Sequence, residues 1–173
     1  MNLYLIRHAE AAELEPGDTR DDSERPLTDK GMSQCRALAA ALRARQIELN
    51  HVVSSPLLRA RQTAEGILRD WQGTPPEQLT CNALQPGGKV KKVVRFVLGL
   101  SGEHVALIGH QPDLGELLGW LIGAKKARLE IAKAGAALVH FDGSPAKGEG
   151  SLAWLVTPAW CAGAGGERGA AAP

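Results

Sequence analysis

Two short segments of this sequence put reactive side chains at places where chemistry is commonly done. Arg7-His8 follows directly on Asn2-Leu3-Tyr4-Leu5-Ile6, an apolar run of the length that a buried, mostly parallel strand needs. Gly109-His110 follows Val105-Ala106-Leu107-Ile108 in the same way. Side chains delivered at the carboxyl ends of parallel strands lie where α/β folds place ligands, and an arginine beside a histidine suits an anion. Arg59 adds a third cationic group. It sits in the opening turns of a helix expected after the strand His51-Val52-Val53-Ser54, with Pro56 near its start.

The elements that must position these groups are legible from periodicity. After the first strand, residues 10–26 read as a long polar loop containing Pro16-Gly17, Asp18, Asp21, Asp22 and Ser23. A loop of that length is often functional, and this one is placed to border the site. Thr28 is the expected N-cap of a first helix in which Met32, Cys35, Ala39 and Leu42 form the apolar face, ending near Arg45. Leu57, Ala60, Ala64 and Ile67 give the second helix its stripe, with Arg59 and Arg61 off that stripe. Residues 80–84 suggest a short third strand, and Val90, Val93, Val94 and Val97 a helix whose charged residues Lys89, Lys91, Lys92 and Arg95 form a solvated face. Leu114, Leu117, Leu118 and Leu121 predict a helix stopped at Gly123. Residues 136–141 and 152–157 read as an antiparallel pair at a sheet edge. Alternating strands and helices predict an α/β fold, a three-layer α/β/α sandwich with a mainly parallel central sheet. One domain is expected over residues 1–160, followed by a Gly/Ala-rich, disordered tail at 161–173.

Composition narrows the function. A chain of 173 residues with net charge +1 is no general polyanion binder, so nucleic acid is not an expected partner. No apolar run approaches the roughly 20 residues of a membrane span, and no basic-then-apolar leader precedes the first strand. No membrane partner and a cytoplasmic location are expected. Cys35, Cys81 and Cys161 are too dispersed for a disulfide framework, and the carboxylates and histidines too scattered for a metal site. They read as small buried or incidental thiols.

Leu5-Ile6-Arg7-His8-Ala9 resembles the opening motif of the histidine phosphatase superfamily, with Ala9 where glycine is most common. Three later segments resemble that family's motifs in the same order. They are Arg25-Pro26-Leu27-Thr28-Asp29-Lys30-Gly31, Ser54-Ser55-Pro56-Leu57-Leu58-Arg59-Ala60-Arg61-Gln62-Thr63 and Gly109-His110-Gln111-Pro112. Chain length and motif wording look closest to the SixA branch, small phosphohistidine phosphatases. The resemblance implies a phosphoglycerate-mutase-like fold. It also implies His8 as nucleophile, and Arg7, Arg59 and His110 as the phosphate pocket, with His110 donating if protonated beside a dianion.

Singly, an arginine or histidine at a strand end has an ordinary structural explanation. Their joint occurrence in the family's order outweighs it. His51, His104 and His140 match no motif and read as structural. Arg25 is a candidate substrate-binding residue that reaches the site across the loop, or a surface arginine. Arg61 lies about half a turn from Arg59 and points elsewhere.

Phosphoryl transfer asks for a nucleophile, positive charge around the equatorial oxygens and help for the leaving group. His8 can attack as neutral imidazole, and nearby cations should depress its pKa. Its second ring nitrogen requires an acceptor to fix the tautomer. Arginines present paired N–H donors that lysine cannot. No cofactor is required. In the family's sugar-phosphate members an acidic residue protonates the departing oxygen. The comparable stretch here, Asn82-Ala83-Leu84-Gln85-Pro86-Gly87-Gly88, holds no carboxylate. An alkoxide leaves poorly without a proton, whereas imidazole leaves as a far less basic species. The expected function is thus hydrolysis of phosphohistidine on a carrier protein through a covalent phosphohistidine intermediate. The alternatives are a phosphatase for small phosphorylated substrates, with an acid from the 10–24 loop or Asp113, and a non-catalytic phosphoprotein-binding module.

Overall fold

The computed structural model describes residues 1–15, 17–19, 21–124 and 126–162. Its centre is a six-stranded sheet of order β3-β2-β4-β1-β5-β6. The strands are β1 (Asn2–Arg7), β2 (His51–Ser54), β3 (Glu77–Thr80), β4 (His104–Gly109), β5 (Ala136–His140) and β6 (Ser151–Val156). The first four pair in parallel, and β5 and β6 complete the sheet antiparallel.

The period-2 alternation of the strands sorts their side chains onto two faces. Leu3, Leu5, Val53, Val105 and Leu107 pack against α3 (Val90–Val97) and α4 (Asp113–Leu121). Tyr4, Ile6, Val52, Ala106 and Ile108 pack against α1 (Asp29–Ala44), α2 (Leu58–Leu68) and α5 (Pro158–Ala162). Because both faces are covered, the central strands are continuously apolar, which is why the sequence showed them as unbroken runs. Each fully buried Leu or Ile contributes about 1.5 to 3 kcal/mol. The helix after β1 covers one face and the helix after β4, its neighbour in the sheet, covers the other. Adjacent parallel strands whose helices diverge in this way open a crevice at their carboxyl ends.

Thr28 caps α1 as expected, its hydroxyl accepting from the Gly31 N–H at 3.0 Å. Gly31 has a second reason to be glycine: a Cβ there would stand 2.0 Å from the Glu10 carbonyl oxygen. That close approach fastens the helix start to the chain leaving β1, beside the future site. The 10–26 loop contains a 3-10 turn (Asp22–Glu24) and is closed at its base by a bridge between Ala11 and Leu27.

Four expectations differ from the structure. The third strand lies at Glu77–Thr80, and Asn82–Leu84 forms a 3-10 turn instead. An edge strand needs no continuous apolar run, so its polar Glu-Gln-Leu-Thr sequence gave no signal. Met32 is 40% exposed, leaving Cys35, Leu38, Ala39 and Leu42 as the buried face of α1. Pro56 precedes α2, which starts at Leu58. The ordered chain passes the expected boundary at 160, because α5 runs to Ala162 and buries Cys161 against α1. The rest of the expected tail lies outside the described residues. Cys35, Cys81 and Cys161 are free and buried.

Candidate active site

The sheet register builds the site. Arg7 pairs with Gly109 across β1 and β4, so the next residues, His8 and His110, leave adjacent strand ends side by side. The His8 N–H donates to the Gly109 carbonyl at 3.0 Å, extending the ladder by one step. Their ring centroids are 5.0 Å apart. On the other side of β4, the Ser55 N–H donates to the Ile108 carbonyl at 2.9 Å, and Ser55 Oγ meets His110 Nε2 at 2.9 Å. Three neighbouring strands thus deliver Ser55, His110 and His8 to one edge.

The acceptor that the sequence left open is the Ala9 carbonyl, 2.7 Å from His8 Nδ1. A carbonyl only accepts, so Nδ1 carries the proton and Nε2 holds the bare lone pair. Ala9 itself is fully buried, and its N–H donates to Thr63 Oγ1 at 3.0 Å. Thr63 in turn donates to the Arg59 carbonyl at 2.7 Å. The loop carrying His8 and the first turn of α2 are therefore joined through one threonine.

Burial is the main influence on both rings. It lowers the His8 pKa to about 4, against the opposing hydrogen bond to Ala9 and with help from the charges of Arg59, Arg7 and Lys133. The expected depression by cations is present but ranks below desolvation. His110 is lowered to about 3, by burial first and then by His8, Arg59 and Arg7, with Asp22 opposing. The free protein therefore holds His110 neutral, with one N–H instead of the two of a protonated ring. An entering dianion opposes that shift.

With His8 neutral far below the usual imidazole range, kcat/KM is expected to hold from about pH 7 to about pH 5 and to fall only near about pH 4. Between the folded values and the ordinary 6.5, the unfolded chain binds more protons, so stability declines as pH drops through that window. A pH–rate profile, corrected for substrate ionisation and paired with melting temperatures, checks both. An enzyme pKa of 6.5 in kcat/KM would contradict the buried, neutral nucleophile.

The arginines surround the histidines. Arg59, only 5% exposed, donates from Nη1 to the Asp22 carbonyl at 2.7 Å and from Nη2 to Asp22 Oδ2 at 3.0 Å. Arg7 donates from Nη1 to the Ile131 carbonyl at 3.1 Å and lies 3.7 Å from Glu130, while its Nε is buried without a hydrogen-bond partner. Arg25 does reach across the loop, but it is turned to Asp22 Oδ1 at 2.9 Å and to the Ala12 carbonyl at 2.6 Å. It braces the loop rather than presenting a free fork. Arg61 is exposed. His51, His104 and His140 bond to Ser101, Tyr4 and Asn2, away from the site. Asp113 accepts from the Gly87 N–H at 3.0 Å.

A neutral imidazole within the influence of two arginines offers the lone pair and the positive charge that phosphoryl transfer uses. Residues 3–81 match the family described as Histidine phosphatase superfamily (branch 1). Phosphohistidine phosphatase SixA of Escherichia coli K12 is 32% identical over 161 residues, covering 91% of this chain and 94% of its own. The chain belongs to the histidine phosphatase superfamily, in its SixA-type branch. An uncharacterised protein of Picosynechococcus is 32% identical over 171 residues, covering 92% of this chain and 98% of its own. The solved structure of the protein histidine phosphatase SixA complexed with tungstate superposes with TM-score 0.80 at 30% identity, covering 92% and 98% of the two chains.

Asp22, Ser55, Thr63, Lys133 and Glu130 were not singled out as functional from sequence. Ser55 and Thr63 lie inside the second-helix motif, which was the available signal. Lys133 and Glu130 come from the aperiodic stretch between α4 and β5 and gave none.

Proposed function

We propose that this histidine phosphatase hydrolyses phosphohistidine on a carrier protein. His8 Nε2 attacks phosphorus, the N–P bond of the substrate breaks, and its electron pair leaves on the carrier imidazole, whose other ring nitrogen already carries a proton, so that a neutral imidazole departs. Water then attacks the phosphoryl group on His8, and inorganic phosphate departs as the Nε2–P bond breaks. Arg7 and Arg59 hold the equatorial oxygens, and His110 adds an N–H donor. The observation that carries this reading is the Nδ1–H to Ala9 hydrogen bond, which leaves Nε2 unprotonated with its lone pair available.

The choice of substrate rests on the leaving group. Among the described residues, Asp22 is the carboxylate paired with Arg59, and it is paired with Arg25 as well. Its hydrogen bond to Arg25, and then that to Arg59, hold its carboxyl below the usual range, so it is ionised and carries no proton to give. The imidazole of a phosphohistidine can leave without a strong acid; an alkoxide cannot. The reading puts the chain in the cytoplasm with its carrier. It also keeps open a second substrate class, small phosphate monoesters, favoured by the same Asp22 if substrate binding frees and protonates it.

The test compares a histidine-phosphorylated carrier with an aryl phosphate. The carrier is expected to be preferred in kcat/KM by at least about a hundredfold, roughly 3 kcal/mol of differential transition-state binding. Faster turnover of the aryl phosphate would move the assignment to small monoesters.

A further inference from the structure

The phosphate fork of Arg59 is already occupied. Asp22 places its carbonyl oxygen on Nη1 and its carboxylate on Nη2, so one residue presents two oxygens to one guanidinium, as a phosphate would. We propose that Asp22 is a resident carboxylate on this fork. The incoming phosphoryl group must displace it, which keeps free inorganic phosphate out and favours a substrate that brings binding energy from elsewhere.

Three features of the molecule support the exchange. First, Arg59 is buried, and a buried guanidinium left without a partner is costly, so the free protein needs an anion there. Second, Asp22 lies on a 3-10 turn with no buried residues, and its own side chain is half exposed. The loop is fastened at its base instead, by the Ala11–Leu27 bridge, the Ala12 N–H on the Pro26 carbonyl and the Arg25 Nε on the Ala12 carbonyl. The turn can therefore shift while its anchors stay. Third, the carboxylate is shared: Oδ2 faces Arg59 and Oδ1 faces Arg25, at 3.0 and 2.9 Å. When phosphate takes Arg59, Asp22 retains Arg25, so displacement costs part of an ion pair and not the whole of one. The carboxylate also sits close enough for His110 to feel its charge.

The consequence for turnover is symmetrical. Asp22 competes with phosphate on entry and helps to expel the product. A phosphoprotein offsets the entry cost through contacts outside the pocket, whereas inorganic phosphate has none. The protein-substrate half of this inference rests on the proposed carrier activity; the competition with phosphate does not.

The experiment is calorimetric titration of inorganic phosphate into the intact chain and into Asp22→Asn, Asp22→Ala and Asp21→Asn. Asp21 is the control, because its carboxylate caps the same turn through the Ser23 N–H at 2.8 Å. Removing the competing charge is expected to tighten phosphate about tenfold in both Asp22 variants, with Asp21→Asn within about twofold of native. Unchanged or weaker phosphate binding by Asp22→Asn and Asp22→Ala would overturn the inference and make Asp22 a brace for Arg59. A native chain that ignores the carrier while Asp22→Asn tightens phosphate removes the carrier assignment and leaves the competition standing. Carrier turnover without tighter phosphate does the reverse.

Discussion

His8→Ala is expected to lower turnover by at least about four orders of magnitude on carrier and aryl phosphate alike, because the group that forms the covalent bond is gone. Its neighbours survive the change. The backbone N–H of residue 8 still donates to Gly109, and the Arg59 pairing with Asp22 does not pass through the ring. The variant should therefore fold and bind inorganic phosphate no more weakly than the native chain, with Asp22 still competing for Arg59, separating loss of chemistry from loss of the pocket. Steady-state assays with a phosphate titration check this. Residual activity within about tenfold of native would show that another group attacks phosphorus.

Arg59→Ala is expected to cost about 3 to 4 kcal/mol of transition-state stabilisation, a fall of about two to three orders of magnitude in kcat. Arg59→Lys should recover little. An ammonium can supply charge, but it cannot place two parallel donors from one plane, as the guanidinium does toward the two Asp22 oxygens. The loss should fall on kcat more than on KM, since the two parallel donors are set for the flattened, in-line phosphoryl group of the transition state more than for the ground-state tetrahedron. Single-turnover rates for the three proteins check it. A lysine variant with near-native kcat would reduce Arg59 to a simple counter-charge.

Much of this site could be read from the chain because its positions are set by the sheet. Arg7, His8 and His110 end two apolar runs. Once those runs pair in parallel with Arg7 opposite Gly109, the two rings have to meet. Arg59 was legible for a similar reason, since a helix that opens immediately after β2 points its first turn at the same edge. Asp22 was not singled out, although the loop that bears it was. Its approach to Arg59 depends on how the loop folds back on Ala12, through Arg25 and the Ala11–Leu27 bridge, contacts with no periodicity to announce them. The rank order of influences on His8 was also hidden. Sequence showed the cations, but the burial that dominates comes from the surrounding packing.

The C-terminal segment shows the converse. Pro158–Ala162 is too short to show helical periodicity, which hid a last helical turn whose Cys161 packs on the α1 side and whose exposed Trp160 stacks under Arg45 at 3.9 Å.

In the proposed reaction the phosphoryl group passes through His8. Rapid quenching of the native protein during turnover of a radiolabelled phosphohistidine carrier, followed by mapping of the label, tests this directly. The predicted result is an acid-labile phosphate on Nε2 of His8 that forms and decays at rates matching kcat, and that is absent from His8→Ala. Carrier hydrolysis at the normal rate with no labelled protein, or with label on another residue, would contradict it.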